Sequence, residues 1–200
     1  MKNFEFVYPA GATPLNPNEL EGLKLTYIST QTELNAAEQD NILQGEQWAF
    51  SQKRKNFLTE KFVRDLHKRL FGHVWKWAGT YRTTDKSIGV EWFKIPTEIN
   101  QLLADVSYWI THETYPLDEI AARFHHRLVW IHPFPNGNGR WARAMADILL
   151  FSLGSERFSW GAHLQAGTLA EHSNARAAYI HALQMADTRS YTELIKFVRS

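Results

Sequence analysis

The sequence predicts an all-α domain of about six to eight helices, with one small β-hairpin near residues 84–95. Most of the chain beyond residue 30 repeats apolar residues at helical spacing, and several of these stretches begin with helix-capping residues. Apolar residues make up 44% of the 200 positions and aromatic residues 14%, a composition typical of a domain with a packed core. We therefore divide the chain into an N-terminal arm over 1–29 and one domain over 30–200.

The first part of the chain is predicted to hold the arm and two long helices. Prolines and a glycine interrupt residues 1–17, so the regular structure expected in the arm is a short helix or turn over 18–22. Thr30 and Glu33 have the spacing of a capping box, which predicts a helix over 30–51. Apolar residues at every fourth position predict a second helix over 59–74: Leu58, Phe62, Leu66, Leu70 and Val74.

Residues 75–96 break the helical spacing. Threonine, isoleucine, valine and aromatic residues surround Gly89 here, which favours a short β-hairpin.

The second half of the chain returns to helices. Proline at the first turn predicts helices over 97–112 and 116–131. Residues 138–152 are apolar nearly all round, which predicts a helix at the centre of the fold. Two further capping boxes predict terminal helices over 169–186 and 191–198: Thr168 with Glu171, and Ser190 with Glu193.

Composition excludes several classes of function. The net charge is +1, so the chain lacks the overall positive field of a nucleic-acid-binding protein, and we expect no nucleic acid partner. No cysteine is present, which excludes disulfides, thiolate catalysis and cysteine-ligated metal sites. The sequence shows neither a secretory signal nor the run of about 18 apolar residues that a membrane span needs. We therefore expect no membrane association and a cytoplasmic location.

The stretch 131–143 carries the residues with the clearest chemistry. A Gly-Asn-Gly turn that leads into a helix points several backbone N–H groups in one direction, with the helix dipole behind them, and such an arrangement binds phosphate. Pro-Asn-Gly is also a common turn, but arginines at a helix N-terminus oppose the dipole and cost stability unless an anion is present. A neutral histidine at the loop entrance can accept a proton from a hydroxyl. The set predicts phosphoryl or nucleotidyl transfer and comprises His132, Gly137, Asn138, Gly139, Arg140 and Arg143.

This stretch resembles the signature of Fic-domain proteins, which is His-x-Phe-x-(Asp/Glu)-Gly-Asn-Gly-Arg-x-x-Arg. Residues 132–143 match every defined position except the acidic one, where Asn136 stands. The flanking segments resemble the family as well: 77–83, 124–129, 178–179 and 186–187. The resemblance covers about residues 30–198, and within the family it is closest to the group called mobile mystery protein B.

The resemblance implies roles for the motif residues. His132 is implied to be the general base, and Phe134 a structural anchor. Arg140 and Arg143 are implied to bind the β- and γ-phosphates of ATP. The anion hole for the α- and β-phosphates is assigned to Gly137, Asn138 and Gly139.

The resemblance also implies the reaction and its partners. AMP moves from ATP to a Ser, Thr or Tyr hydroxyl of a target protein, with Mg²⁺ bridging the phosphates. The segment near 84–95 is implied to be a flap that docks the target, using Ile88, Gly89 and Phe93. A helix-turn-helix regulator is a further possible partner for this group.

Asn136 leaves three interpretations open, because an Asn carbonyl binds Mg²⁺ without a charge and therefore more weakly than a carboxylate. The first interpretation is a slow AMP transferase. The second is other Fic chemistry, such as transfer of UMP, phosphocholine or phosphate, or removal of AMP. The third interpretation is a non-catalytic nucleotide-binding module.

Related proteins often carry an inhibitory helix with the pattern Ser/Thr-x-x-x-Glu-(Gly/Asn). The nearest candidate is Glu21 before Gly22, although Pro17 occupies the Ser/Thr position. As an inhibitor Glu21 would pair with Arg143; the alternative is a surface residue before a helix-stopping glycine.

Overall fold

The structure, a computed structural model, describes residues 14–51, 53, 55–162 and 174–200. Within these residues it contains eight α-helices, one 3₁₀ helix and no strand, which confirms the all-α class. A 3₁₀ helix, Trp92–Lys94, precedes the fourth α-helix. The α-helices are α1 (Pro17–Leu20), α2 (Gln31–Phe50), α3 (Glu60–Phe71), α4 (Ile95–Thr111), α5 (Leu117–Ile131), α6 (Asn138–Ser152), α7 (Asn174–Asp187) and α8 (Thr192–Val198).

Helix α6 lies at the centre of the fold, as its sequence predicts. Trp141, Met145, Ile148 and Leu149 are completely buried, and the Trp141 ring N–H donates to the Val63 carbonyl of α3 at 3.1 Å. Helix α6 packs against α5, α2 and α3. In the part of the chain that the structure describes, no helix combines the length and apolar character needed to cross a membrane.

Side-chain caps define two of the helix starts. The predicted capping box before α2 is confirmed, because the Thr30 hydroxyl accepts from the Glu33 N–H at 3.2 Å and Glu33 accepts from the Thr30 N–H at 3.0 Å. Thr59 caps α3 with a single bond, in which its hydroxyl accepts from the Phe62 N–H at 3.2 Å.

The predicted capping box at Ser190 is wrong. Helix α8 begins at Thr192 without a side-chain cap. Ser190 still belongs to the turn that ends α7, since its N–H donates to the Met185 carbonyl and Arg189 before it has a φ of 67°. The other predicted box, with Thr168 and Glu171, lies outside the described residues, as does the predicted start of α7.

The described part of the N-terminal arm packs along the loop after α3. The predicted short helix is present as α1. Backbone hydrogen bonds join Lys24 to Val74 and Lys76 to Gly22, both at 2.8 Å. Residues 1–13 lie outside the described residues.

The β-hairpin predicted near 84–95 is wrong. This segment, called the flap below, consists of bends followed by the 3₁₀ helix. The Val90 N–H donates to the Ile131 carbonyl at 3.4 Å, and the Val90 carbonyl accepts from the Arg82 guanidinium. Because these backbone groups pair with α5 and with a side chain, they are not available for pairing across a hairpin.

Candidate active site

His132 is held in a strained position between α5 and the motif loop. It forms the C-cap of α5 with φ 54° and ψ 59°, a left-handed conformation that is uncommon for a residue with a side chain. The side chain is mostly buried, at 7% exposure of the residue. Burial lowers the pKa of His132 to about 4, against a hydrogen bond with the Val129 backbone that raises it. The imidazole is therefore neutral at pH 7 and can accept a proton.

Two glycines at the start of α6 serve different purposes. Gly137 forms the N-cap with φ 78°, and a Cβ on it would lie 2.6 Å from the Phe71 ring, so this position requires glycine. A Cβ on Gly139 would meet only Arg143 at 3.8 Å and the Tyr179 hydroxyl at 4.0 Å. The chain itself does not need glycine there. The open space beside Gly139 is therefore a cradle that a ligand can enter.

The two asparagines of the motif use their side chains within the loop. Asn138 clamps Phe134 in both directions, accepting from its N–H at 2.9 Å and donating to its carbonyl at 2.8 Å. The Asn136 carbonyl oxygen accepts from the Gly137 N–H at 2.6 Å. At the start of α6 the backbone N–H groups of the first turn have no intrahelical acceptor, so they, rather than these side chains, can bind an anion.

Phe134 anchors the loop in the core, as predicted. It is completely buried, and its ring stacks on His67 with centroids 3.7 Å apart and meets Trp141 edge-on at 5.0 Å. The anchor therefore ties the loop to α3 and α6 at once.

Arg140 is paired with a carboxylate that the sequence analysis missed. Glu38 of α2, 8% exposed, accepts from the Arg140 guanidinium at 2.7 Å and from the Trp75 ring N–H at 2.7 Å. Glu38 lies at the helical position between buried Leu34 and Ile42, and a charged residue in a core register was the available signal.

Arg143 is backed by a buried pair of neutral side chains. The Arg143 guanidinium lies 5.8 Å from the Tyr179 ring centroid, and the Tyr179 hydroxyl is 2.9 Å from His125 Nε2. Burial lowers the pKa of His125 to about 3, so this histidine is neutral. Its neighbour His126 bonds Asp187 at 2.8 Å. Tyr179 and His125 lie in flanking segments that resemble the family, but the sequence did not indicate that the two side chains are hydrogen-bonded.

His67 is a second missed residue, and it supports the motif loop from beneath. Its Nδ1 accepts from the Gly79 N–H at 3.0 Å, so the proton is assigned to Nε2. This nitrogen donates to the backbone carbonyl of Asn136 at 3.0 Å. Burial lowers the pKa of His67 to about 3. His67 follows Leu66 of the apolar stripe on α3. A histidine at such a position is usually a packed core residue, so the sequence did not indicate its contact with the loop.

Arg82 joins the flap to His132. This arginine is 2% exposed, and its Nε donates to the His132 carbonyl at 2.7 Å. Its other nitrogens donate to the flap carbonyls of Thr84, at 2.8 Å, and Val90. Gly89, with φ 101°, faces His132 so closely that a Cβ would lie 2.7 Å from the His132 Cβ. The predicted docking glycine and the predicted base therefore meet in the fold.

The other predicted flap residues are exposed. Ile88 is 44% and Phe93 61% accessible, which leaves both free of the core. Glu21 is exposed at the C-terminal end of α1, whose Glu19 forms an ion pair with the flap residue Lys86. The carboxylate that meets a motif arginine is Glu38, on α2.

The described residues near the motif loop do not form a protein-held Mg²⁺ site. Among the described residues no cluster of three or more His, Asp, Glu or Cys could hold a metal. The predicted ligand, the side-chain oxygen of Asn136, is uncharged and already accepts from the Gly137 N–H. Mg²⁺ usually binds one or two carboxylates together with substrate phosphates, and this donor set lacks the carboxylates.

The buried histidines predict that acid destabilises the fold. An unfolded histidine binds a proton below about pH 6.5, whereas the pKa values of folded His67, His125 and His132 are about 3, 3 and 4. The unfolded state therefore binds more protons in this window, so the free energy of unfolding falls as pH drops below about 6.5. At about pH 5.5 each histidine contributes a loss of about 1.4 kcal/mol. A melting temperature that stays constant from neutral pH to this value would contradict neutral burial.

Known proteins resemble this chain in sequence and in fold. The sequence profile of the Fic/DOC family matches residues 57–150. The protein adenylyltransferase Fic of Culex quinquefasciatus is 32% identical over 106 residues, covering 50% of this chain and 21% of that protein. The protein of the same name from Drosophila mojavensis is 27% identical over 150 residues, covering 72% of this chain and 28% of that protein. The chain thus spans less than a third of the length of these curated relatives.

A solved structure shares the fold. The N-terminal FIC domain of the Bep8 protein from Bartonella sp. 1-1C is 14% identical and superposes with a TM-score of 0.70, covering 90% of each chain. At this identity the likeness concerns the fold alone.

Proposed function

The chain belongs to the Fic/DOC family, and from this premise we propose that it transfers AMP from ATP to a Ser, Thr or Tyr hydroxyl of a target protein. The observation that carries the proposal is the placement of a neutral, buried His132 at the end of α5, directly before the arginine-bearing start of α6. A base and an anion site separated only by the motif loop suit attack by a hydroxyl on a phosphate.

The proposed reaction uses the chain's own residues for positioning and proton transfer. His132 accepts the hydroxyl proton as the hydroxyl oxygen attacks the α-phosphorus in line. The bond from that phosphorus to the bridging oxygen breaks, and pyrophosphate leaves with the electron pair. The first-turn N–H groups of α6, together with Arg140 and Arg143, stabilise the negative charge on the phosphates.

Labelled ATP tests this proposal. Purified protein is incubated with a cell lysate and ATP labelled on either the α- or the γ-phosphate, beside a His132→Ala variant. We expect only α label on target proteins, with a loss of about 100-fold or more in the variant. Transfer of γ label would instead indicate phosphate transfer, and no label from any nucleoside triphosphate would indicate a binding module. The helix-turn-helix partner and the cytoplasmic location stay predictions.

Asn136 favours the second candidate, a nucleotide-binding module with little chemistry, because the residue lacks the charge that Mg²⁺ prefers. If the transferase proposal is right, Asn136→Asp should increase the Mg²⁺-dependent rate several-fold. An aspartate can still accept the Gly137 N–H, so the loop should keep its shape. Asn35→Asp on α2 is the charge-matched control, because this exposed residue accepts from Gln31 at 2.8 Å away from the motif loop, and it should leave the transfer rate unchanged. An unchanged Asn136→Asp rate at every Mg²⁺ concentration would favour the binding module.

The ion pair on Arg140 predicts that Glu38 restrains nucleotide binding. A phosphate at Arg140 must compete with the Glu38 carboxylate, which lies 2.7 Å away with its side chain 10% exposed. Glu38→Gln removes the charge and can still accept from Trp75, so we expect the Kd for ATP to fall about five- to tenfold.

Glu21→Gln is the matched control for this measurement, and it also tests the predicted inhibitory role of Glu21. An exposed Glu21 should leave the Kd unchanged. Tighter ATP binding in the Glu21 variant alone would assign inhibition to α1 instead of α2.

A further inference from the structure

Helix α7 contributes a wall to the space above the start of α6, although it lies beyond the matched region 57–150. Tyr179 of α7 is buried, and its hydroxyl is 4.0 Å from the position that a Cβ on Gly139 would take. Its ring centroid is 5.8 Å from the Arg143 guanidinium carbon. One face of α7 therefore borders the cradle beside Gly139.

Arg176 lies on this same face of α7. It precedes Tyr179 by three residues, and residues at that spacing are neighbours on a helix surface. The Arg176 residue is half-buried. The helical register therefore brings a third guanidinium to the site, from an element that carries none of the motif.

The electrostatics of the three arginines agree with this placement. Burial is the main cause that lowers the pKa of Arg176, and the positive charges of Arg143 and Arg140 lower this pKa further. Burial and Arg140 likewise lower the pKa of Arg143, partly offset by Tyr179 and Asp147. Like charges that share a partly desolvated space repel each other, and a bound polyanion removes that cost.

The described carboxylates that interact with Arg140 or Arg143 lie on α2 and α6: Glu38, Glu46 and Asp147. Glu38 is bonded to Arg140 and to a tryptophan N–H. Asp147, one turn after Arg143, accepts from the Phe158 N–H at 3.1 Å and the Trp160 ring N–H at 2.9 Å, and burial raises its pKa to about 6.

We propose, resting on the proposed function, that Arg176 binds the terminal phosphate of a nucleoside triphosphate together with Arg143. A diphosphate bound with its α-phosphate in the same place has no group that reaches this corner. Arg176 therefore sets a preference for nucleoside triphosphates over diphosphates, and it is a binding residue supplied by α7.

Equilibrium binding of ATP, ADP and AMP tests the proposal. The measurements use the full chain with His132→Ala, which suppresses turnover, and compare it with the His132→Ala/Arg176→Gln double variant. We expect Arg176→Gln to raise the Kd for ATP about tenfold, the Kd for ADP much less, and the Kd for AMP not at all. Lys196→Gln is the charge-matched control on α8. Its exposed side chain forms an ion pair with neighbouring Glu193, and the substitution should change none of the three Kd values.

Arg176→Lys keeps the test valid if the glutamine variant does not fold. Lysine retains the charge but lacks the planar fork, so the Kd for ATP should rise about threefold. The proposal is overturned if the parent protein binds ATP and ADP equally, or if an Arg176 variant binds ATP as the parent does. It is also overturned if the variant weakens all three nucleotides to the same extent.

The transfer assay separates this proposal from the proposed function. Arg176-dependent selectivity for ATP without any label transfer would remove the transferase and leave the phosphate site. His132-dependent AMP transfer with unchanged nucleotide selectivity in the Arg176 variants would support the transferase and remove the proposed role of Arg176.

Discussion

Gly139→Ala is expected to weaken nucleotide binding strongly without destabilising the fold. The added methyl group would meet only Arg143 at 3.8 Å and Tyr179 at 4.0 Å, both ordinary contacts. Alanine inside a helix is favoured over glycine by about 1 kcal/mol, so the melting temperature should stay constant or rise. The same methyl group would project into the cradle where the phosphates are proposed to lie. We expect kcat/KM for AMP transfer to fall on the order of 100-fold, since the phosphates move away from their N–H donors.

Gly137→Ala is the matched control, because the two glycines differ in what they do. At Gly137 the φ of 78° and the 2.6 Å approach to Phe71 leave no room for a Cβ. The left-handed conformation alone costs a residue with a side chain about 1–2 kcal/mol. This variant should therefore lose stability and activity together. If Gly139→Ala binds ATP normally, the phosphates do not lie at the start of α6, and the proposed site is wrong.

The fold was predictable where local patterns determine it. Apolar spacing predicted α3, prolines at the first turn predicted α4 and α5, and the Thr30 capping box predicted the start of α2. Neighbouring residues within one helix decide these features. The motif residues were recognisable for a related reason. A base, a glycine turn and two arginines lie within one short stretch, so their types and spacing already describe an anion site.

The partners that complete the site were not predictable, because they come from distant parts of the chain. Glu38 lies 102 residues from Arg140, His125 lies 54 residues from Tyr179, and Arg82 lies 50 residues from His132. A single sequence indicates each residue type but not which distant groups pair. The hairpin prediction for the flap was wrong for the same reason. Its residues have strand propensity, but tertiary hydrogen bonds to Arg82 and α5 determine its conformation.

Arg82→Ala is expected to separate the flap from the base. The guanidinium donates to carbonyls on both sides of the junction: His132 on one side, Thr84 and Val90 on the other. Removing it leaves the buried carbonyls of His132 and Val90 without this donor, and hydrogen bonds to charged groups contribute about 1.5–3 kcal/mol each. We expect a loss of about 3 kcal/mol in the free energy of unfolding, measured by denaturant titration, because the individual contributions do not add fully.

We expect Arg82→Ala to lower the rate of AMP transfer even where the variant is fully folded. Such a loss would identify Arg82 as a residue that positions His132 and the flap. Transfer is measured well below the melting temperature of the Arg82→Ala variant, where the chain is folded, so any loss reflects the position of His132 and the flap. Arg64→Ala is the matched control. Its exposed side chain donates to the Gly79 carbonyl at 2.9 Å and lies 5.4 Å from the Tyr81 ring centroid, and its removal should cost about 1 kcal/mol with little effect on transfer. Full transfer by folded Arg82→Ala would mean that His132 holds its left-handed position without the flap. The strain at His132 would then have to be supported by the motif loop alone, through Phe134 and its contacts in the core.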